Sequence, residues 1–196
     1  NFHIVGEVYD PDPAQLSRFT TEGKLPSVLD FGFQQAAADV FYRKHHPQTI
    51  DALFAQDDLY TDEDSQADLL MTFLGNHDMG RTGYFIEQGV PNASNEEKLK
   101  RSILSHAFMY LSRGIPVVYY GQGFTGDGND VNARQDMFPS LVASDNDNPL
   151  LGSNASTADN NFDPLHPIYQ ALRDLAQLRH QHAALRHGQY ESRYFS

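Results

Sequence analysis

Leu69-Leu70-Met71-Thr72-Phe73-Leu74-Gly75-Asn76-His77-Asp78 is a run of near-continuous apolar character that stops at a glycine and three polar side chains. A short run of that kind, without polar alternation, fits a strand covered on both faces, the habit of a parallel sheet. Polar residues directly after such a strand sit where parallel α/β folds place their chemistry. The neighbouring segments can be read outward from it.

Upstream, Ile4-Val5 leads to Gly6-Glu7-Val8-Tyr9 and reads as a first strand. Asp12 can cap a short helix with Pro13 at its first position and Leu16 and Phe19 on one face. Leu25 to Phe31 reads as a second short strand, followed by helical stretches from about Gln34 to His45 and from Pro47. The acidic segment Asp57 to Asp68 reads as a solvated loop. Downstream, Ser94 and Glu97 make a capping box for a helix with the stripe Leu99, Ile103, Ala107 and Tyr110, ended by Gly114. Ile115 to Tyr120 reads as a fourth strand, Gly121 to Asp163 as a long polar stretch, and Pro167 as the start of a last helix closed by Gly188. Strand and helix alternate about four times, which implies a parallel sheet with helical crossovers. Both an open doubly wound sheet and part of a (β/α)8 barrel fit this order.

The net charge of −12 over 196 residues argues against nucleic acid or anionic lipid as a partner, because phosphate binding needs clustered Lys and Arg. No apolar run approaches the length of a membrane span. The chain has no cysteine, hence no disulfide framework and no thiolate metal site. It opens on Asn1 within an expected strand, which reads as a cut inside a longer protein.

Two carboxylates follow strands: Glu7 after the first and Asp78 after the third. Glycoside hydrolysis needs such groups, one to protonate the leaving oxygen and others to attack or stabilise an oxocarbenium-like centre. A lone Glu at a strand end is equally a helix cap or a surface charge.

The motifs resemble the α-amylase family of glycoside hydrolases. Gly6-Glu7-Val8-Tyr9-Asp10 resembles its general-acid motif, and Phe73 to Asp78 its Asn-His-Asp motif. Gly23 to Asp30 is similar to its sixth-strand segment, Gly114 to Gln122 to its eighth strand, and His166 to Arg179 to the helix that closes its barrel. The resemblance implies an α/β chain, the C-terminal half of a (β/α)8 TIM barrel (about strands five to eight), spanning residues 1–187. Residues 188–196 would begin the connection to a further β domain. It implies Glu7 as general acid and base, Asp78 as a second catalytic carboxylate holding the distorted sugar, and His77 as a ligand of the same sugar. Asp130 and Arg134 resemble a loop pair that grips neighbouring sugars, though a surface Asp–Arg pair would look the same. The implied partner is an α-glucan oligosaccharide or polysaccharide, and the implied reaction is retaining hydrolysis of α-1,4 linkages. A glucanotransferase or isomerase of the same family and a non-catalytic carbohydrate-binding remnant are the alternatives. A starch-like substrate points to an extracellular or periplasmic setting.

Two departures stand out. No Asp lies in the Gly-Phe-Arg-x-Asp context of the family nucleophile, so the chain is expected to be inactive alone. Gly121-Gln122-Gly123-Phe124 stands where many members continue Gly-Gln-Glu. No metal site is expected in this segment, since neither Asp127 to Asp130 nor Asp145 to Asp147 meets the demands of a calcium loop, while calcium remains possible in the parent protein. Half a barrel would expose sheet edges and apolar surface, so self-association is expected.

Overall fold

The computed structural model describes residues 2–126, 128, 130–191 and 193, apart from the side chains at 130 and 131. Four short strands carry the fold: β1 (Val5–Gly6), β2 (Ser27–Val28), β3 (Met71–Phe73) and β4 (Ile115–Val117). β1 pairs with β2 in parallel, Val5 against Ser27, and β3 pairs with β4 in parallel, Met71 against Ile115. A parallel bridge from Leu29 to Met71 joins the two pairs. The strands therefore follow one another in chain order and all point the same way. Among the described residues β1 and β4 have no further strand partner, so these strands do not close a barrel. Pro116 is tolerated in β4 because Ile115 N donates to the Leu70 carbonyl at 2.8 Å, which leaves the nitrogen of residue 116 on the side away from β3.

Parallel neighbours need crossovers, and the helices supply them. α1 (Pro13–Thr21) lies between β1 and β2, and its N-cap Asp12 accepts from Ala14 N at 2.9 Å. α2 (Phe31–Ala37) and α3 (Gln48–Phe54) lie between β2 and β3. α4 (Thr82–Gly89) and α5 (Asn95–Leu111) lie between β3 and β4, and α6 (Pro167–Gln181) and α7 (Ala184–His187) follow. Phe33, Phe54, Leu74 and Met109 make one buried cluster between α2, α3 and α5 beside β3. Leu16, Val28, Tyr60 and Leu70 make another, seating α1 against β2. Tyr42, Ile86, Leu151 and Ile168 make a third, behind α4 and α6.

Several expectations are corrected. The helix expected from Gln34 runs Phe31–Ala37 and continues as a π-helix over Ala38–Tyr42, so the Tyr42 ring packs inside and its hydroxyl meets Ser105 Oγ at 3.1 Å. Phe19 does not share the burial of Leu16: it is exposed where Leu16 is fully buried. The acidic stretch is not plain loop. It holds 3₁₀ turns at Asp57–Tyr60 and Ala67–Leu69, with Tyr60 buried.

Helix α4 is an element the sequence reading missed. Its first residue, Thr82, gives both N–H and hydroxyl to the buried Gln122 Oε1, a long-range contact that local pattern does not reveal. α5 buries Lys98, Ser102, Ser105, His106 and Met109 most deeply, not the expected stripe. Its small serines allow close approach, and Lys98 is neutralised by Glu87 at 2.7 Å. Ser94 accepts from Glu97 N at 3.2 Å, but the Glu97 carboxylate turns to Arg101, so only half of the capping box forms. The other end of α5 is capped from afar. Arg179 of α6 donates to the carbonyls of Tyr110 and Ser112 at 2.7 and 3.0 Å and to that of Gly114 at 2.5 Å, satisfying acceptors that a helix end leaves open.

Candidate active site

The parallel order fixes where the polar strand ends lie. Glu7 follows β1, Asp30 follows β2, the segment Asn76 to Asp78 follows β3 and Tyr119 and Tyr120 follow β4, all at C-terminal ends. A row of rings runs along this rim: Tyr9 meets Phe31 at 4.8 Å between centroids, and Phe31 meets Phe73 edge-on at 5.1 Å. It links the end of β1, through the end of β2, to β3. Glu7 is exposed and makes no hydrogen bond or ion pair among the described residues.

His77 and Asp78 ride on a tight turn. Asn76 and Gly80 exchange backbone hydrogen bonds at 3.0 and 3.2 Å, and Asn76 Oδ1 accepts from the amides of Asp78 and Met79 at 3.0 and 2.7 Å. The turn closes because Gly80 takes a φ of +115°, a conformation glycine adopts without strain. Both side chains remain about half exposed, with His77 Nε2 3.4 Å from Asp78 Oδ1. Arg134, in the 3₁₀ segment Asp130–Arg134, reaches them: its Nη2 donates to Asp78 Oδ1 at 2.9 Å, and its Nε to the His77 carbonyl at 3.4 Å. The structure thus brings His77, Asp78 and Arg134 together. The side chain of Asp130 lies outside the described residues.

The other carboxylate that follows a strand, Asp30, is committed elsewhere. It is fully buried, accepts from Phe33 N at 2.8 Å as the cap of α2, and pairs with Arg113. Burial works against the charged Arg113, but the fields of Asp30 and Asp57 outweigh it and raise its pKa.

Beneath the turn lies a side chain that the sequence singles out, with Asn76, without fixing its role. Arg81 is 2% exposed, with its guanidinium over the rings of Tyr120, Phe124 and Tyr119 at 4.8, 5.3 and 5.8 Å. Burial lowers its pKa, against the pull of Tyr120 and Tyr119.

At Gly123 an added Cβ would come within 2.8 Å of the terminal methyls of Ile168 and Leu150, which would have to shift. A cavity of roughly 490 Å³ opens between the segment after β4 and α6, lined by Tyr119, Phe124, Phe162, His166 and Ile168 among others. Its walls are mainly apolar and include none of Glu7, His77, Asp78 or Arg134. The strand-end cluster, with its convergent polar groups, is therefore the better candidate for chemistry. Among the described residues no group of three His, Asp or Glu could hold a metal ion, and no helix is long and apolar enough to cross a membrane.

Residues 1–150 match the model of the alpha-amylase catalytic domain. The chain is 42% identical to an alpha-amylase of Streptomyces lividans, over 99% of this chain and 21% of that protein. It is 29% identical to a cyclomaltodextrin glucanotransferase of a Bacillus species, over 87% of this chain and 19% of that protein. The crystal structure of the Geobacillus thermoleovorans alpha-amylase complexed with acarbose superposes with a TM-score of 0.68 at 20% identity, over 95% of this chain and 35% of that one. The chain thus spans about a fifth of the length of the curated relatives it matches.

Proposed function

The chain belongs to the alpha-amylase catalytic-domain family, and on that premise we propose that it supplies the acid/base half of a retaining α-glucan-cleaving site. In this reading residues 1–187 are the C-terminal half, about strands five to eight, of a (β/α)8 barrel, and residues 188–196 lead into a further domain. The partly exposed apolar residues on both outer strands support it: Ile4 and Val5 at β1, Ile115 and Val117 in β4. These are faces that further strands would cover.

The observation that carries the proposal is the parallel succession from β1 to β3. It sets Glu7 and the cluster of His77, Asp78 and Arg134 at the same ends of β1 and β3, with β2 between them. Glu7 donates its proton to the glycosidic oxygen as the bond to the anomeric carbon breaks. A nucleophilic carboxylate from a part of the polypeptide outside this chain takes the anomeric carbon, the two carboxyl groups standing ~5–5.5 Å apart. Glu7, now ionised, then takes a proton from water, which releases the sugar with its configuration retained. Asp78 accepts hydrogen bonds from hydroxyls of the distorted sugar, His77 binds the same ring, and Asp130 and Arg134 hold neighbouring sugars. Because the nucleophile lies elsewhere, the 196-residue chain is inactive by itself. Any calcium would likewise be held outside it. The substrate is an α-1,4-linked glucan, and a starch-like polymer of that kind favours an extracellular or periplasmic setting.

A second reading is transfer to a sugar acceptor instead of water, favoured by the match to a cyclomaltodextrin glucanotransferase over most of the chain. Incubating the longer polypeptide that carries this chain with maltoheptaose separates the two. Shorter linear products with a new reducing end for each cleavage support hydrolysis. Longer or cyclic products without new reducing ends support transfer. No product of either kind would sink the enzymatic proposal and favour a binding role.

A further inference from the structure

We infer that Arg81 is a positioning residue that holds Arg134 against Asp78 by anchoring the backbone on which Arg134 rides. The inference rests on the functional reading above, which gives Asp78 and Arg134 their sugar-holding roles.

Arg81 lies three residues beyond Asp78 and faces inward. A guanidinium removed from water without a carboxylate partner is costly, and an apolar side chain of similar size would fill the same space more cheaply. Among the described residues no carboxylate pairs with it, and the three aromatic faces around it compensate the cation only in part. Among the described residues its Nε and Nη1 find no hydrogen-bond partner of ordinary geometry. The hydrogen bond it makes among the described residues, which an apolar residue could not, runs from Nη2 to the carbonyl of Gln135 at 2.6 Å.

Gln135 directly follows Arg134. The carbonyl of Arg134 is held as well, by the hydroxyl of Tyr120 at 2.6 Å, and the Tyr120 ring carries the Arg81 guanidinium on its face. Two successive carbonyls are thereby fixed to one buried cation and the ring beneath it. The contact of Arg134 with Asp78 is exposed at both ends, and pairs of that kind contribute only about 0–1 kcal/mol. Such a contact does not define a position unaided. The buried anchor does, by removing the freedom of the segment before a sugar arrives.

The test is a double-mutant cycle in the longer polypeptide: Arg81→Met and Tyr120→Phe, each alone and each combined with Arg134→Ala. The readouts are kcat and KM on maltoheptaose, with melting temperature as a check on folding. Tyr120→Phe keeps the ring and removes only the hydroxyl, so it serves if Arg81→Met fails to fold. Arg134→Ala and each positioning variant should lower kcat/KM by about tenfold, mainly through KM, and each double variant by no more than about tenfold. Losses that multiply to about a hundredfold would overturn the inference and leave the functional reading intact. An Arg134→Ala variant with unchanged kcat/KM would overturn the inference together with the sugar-holding role of Arg134.

Discussion

Arg113, in the turn that leads into β4, donates to the carboxylate of Asp30 at the end of β2, and both side chains are almost wholly buried. The same guanidinium holds Asp57 through Nε at 2.9 and 3.0 Å and Nη2 at 2.7 Å, and lies 4.8 Å from the centre of the Phe54 ring. One cation thus ties the second strand, the acidic segment and the fourth strand together. Arg113→Met would leave the Asp30 charge buried without its partner and should cost about 3–5 kcal/mol in urea unfolding. Adding Asp30→Asn should restore part of that loss, because the neutral amide still caps α2. A cost below about 1 kcal/mol for Arg113→Met would show the pair to be dispensable.

His106 is buried on α5, with its Nδ1 2.7 Å from the Ser102 carbonyl. Burial lowers its pKa to about 4, against the Ser102 carbonyl, which acts to raise it. The unfolded chain therefore binds a proton there more readily than the folded one. Stability should fall as pH drops from about 6.5 to about 4, by roughly 3 kcal/mol from this group. His106→Gln should remove that part of the slope in unfolding measured across this range. A slope identical to that of the parent protein would show that His106 titrates normally.

Gly80 lets the turn of His77 and Asp78 close. An added Cβ there would overlap the carbonyl of Gly128, and the φ of +115° disfavours any other residue. Gly80→Ala should cost roughly 2 kcal/mol or more and lower kcat/KM on maltoheptaose in the longer polypeptide. Ser94→Ala, which removes the cap of α5, is a matched control: it should cost about 1 kcal/mol and leave kcat/KM unchanged. Equal kinetic effects of the two would mean that turn geometry does not matter to the chemistry.

The parts of the fold that announce themselves in sequence are those set by local rules. Asp12-Pro13 marked a helix start, Ser94 marked another, and the apolar run ending at Phe73 marked a parallel strand. What stayed hidden depended on contacts distant in sequence. Helix α4 is bound to Gln122 forty residues on, Asp57 is drawn inward by Arg113, and the C-terminal end of α5 is capped by Arg179 from another helix. The site divides in the same way. The placement of Glu7, His77 and Asp78 at strand ends is legible because each sits in a short motif directly after a strand. The anchoring by Arg81 is not, because it is made of a backbone carbonyl and three ring faces that only the fold assembles.

The outer strands β1 and β4 carry partly exposed apolar side chains and no further strand among the described residues. The 196-residue chain expressed alone should therefore self-associate in sedimentation, since unpaired edges recruit partners. Co-expression with the preceding part of the longer polypeptide should replace that self-association by a one-to-one complex. A stable monodisperse monomer of the isolated chain would argue against a half barrel.

Two substrates offered to a single variant test the account most directly. In the longer polypeptide, Glu7→Gln removes the acid group of the proposed proton donor but keeps its shape. Cleavage of maltoheptaose, whose leaving alcohol needs that proton, should fall by roughly 10²–10⁴-fold. Formation of the glycosyl-enzyme from α-maltosyl fluoride, whose leaving fluoride needs far less help, should fall by much less. Equal losses on both substrates, or maltoheptaose cleavage that survives Glu7→Gln, would contradict the assignment of Glu7 as the acid.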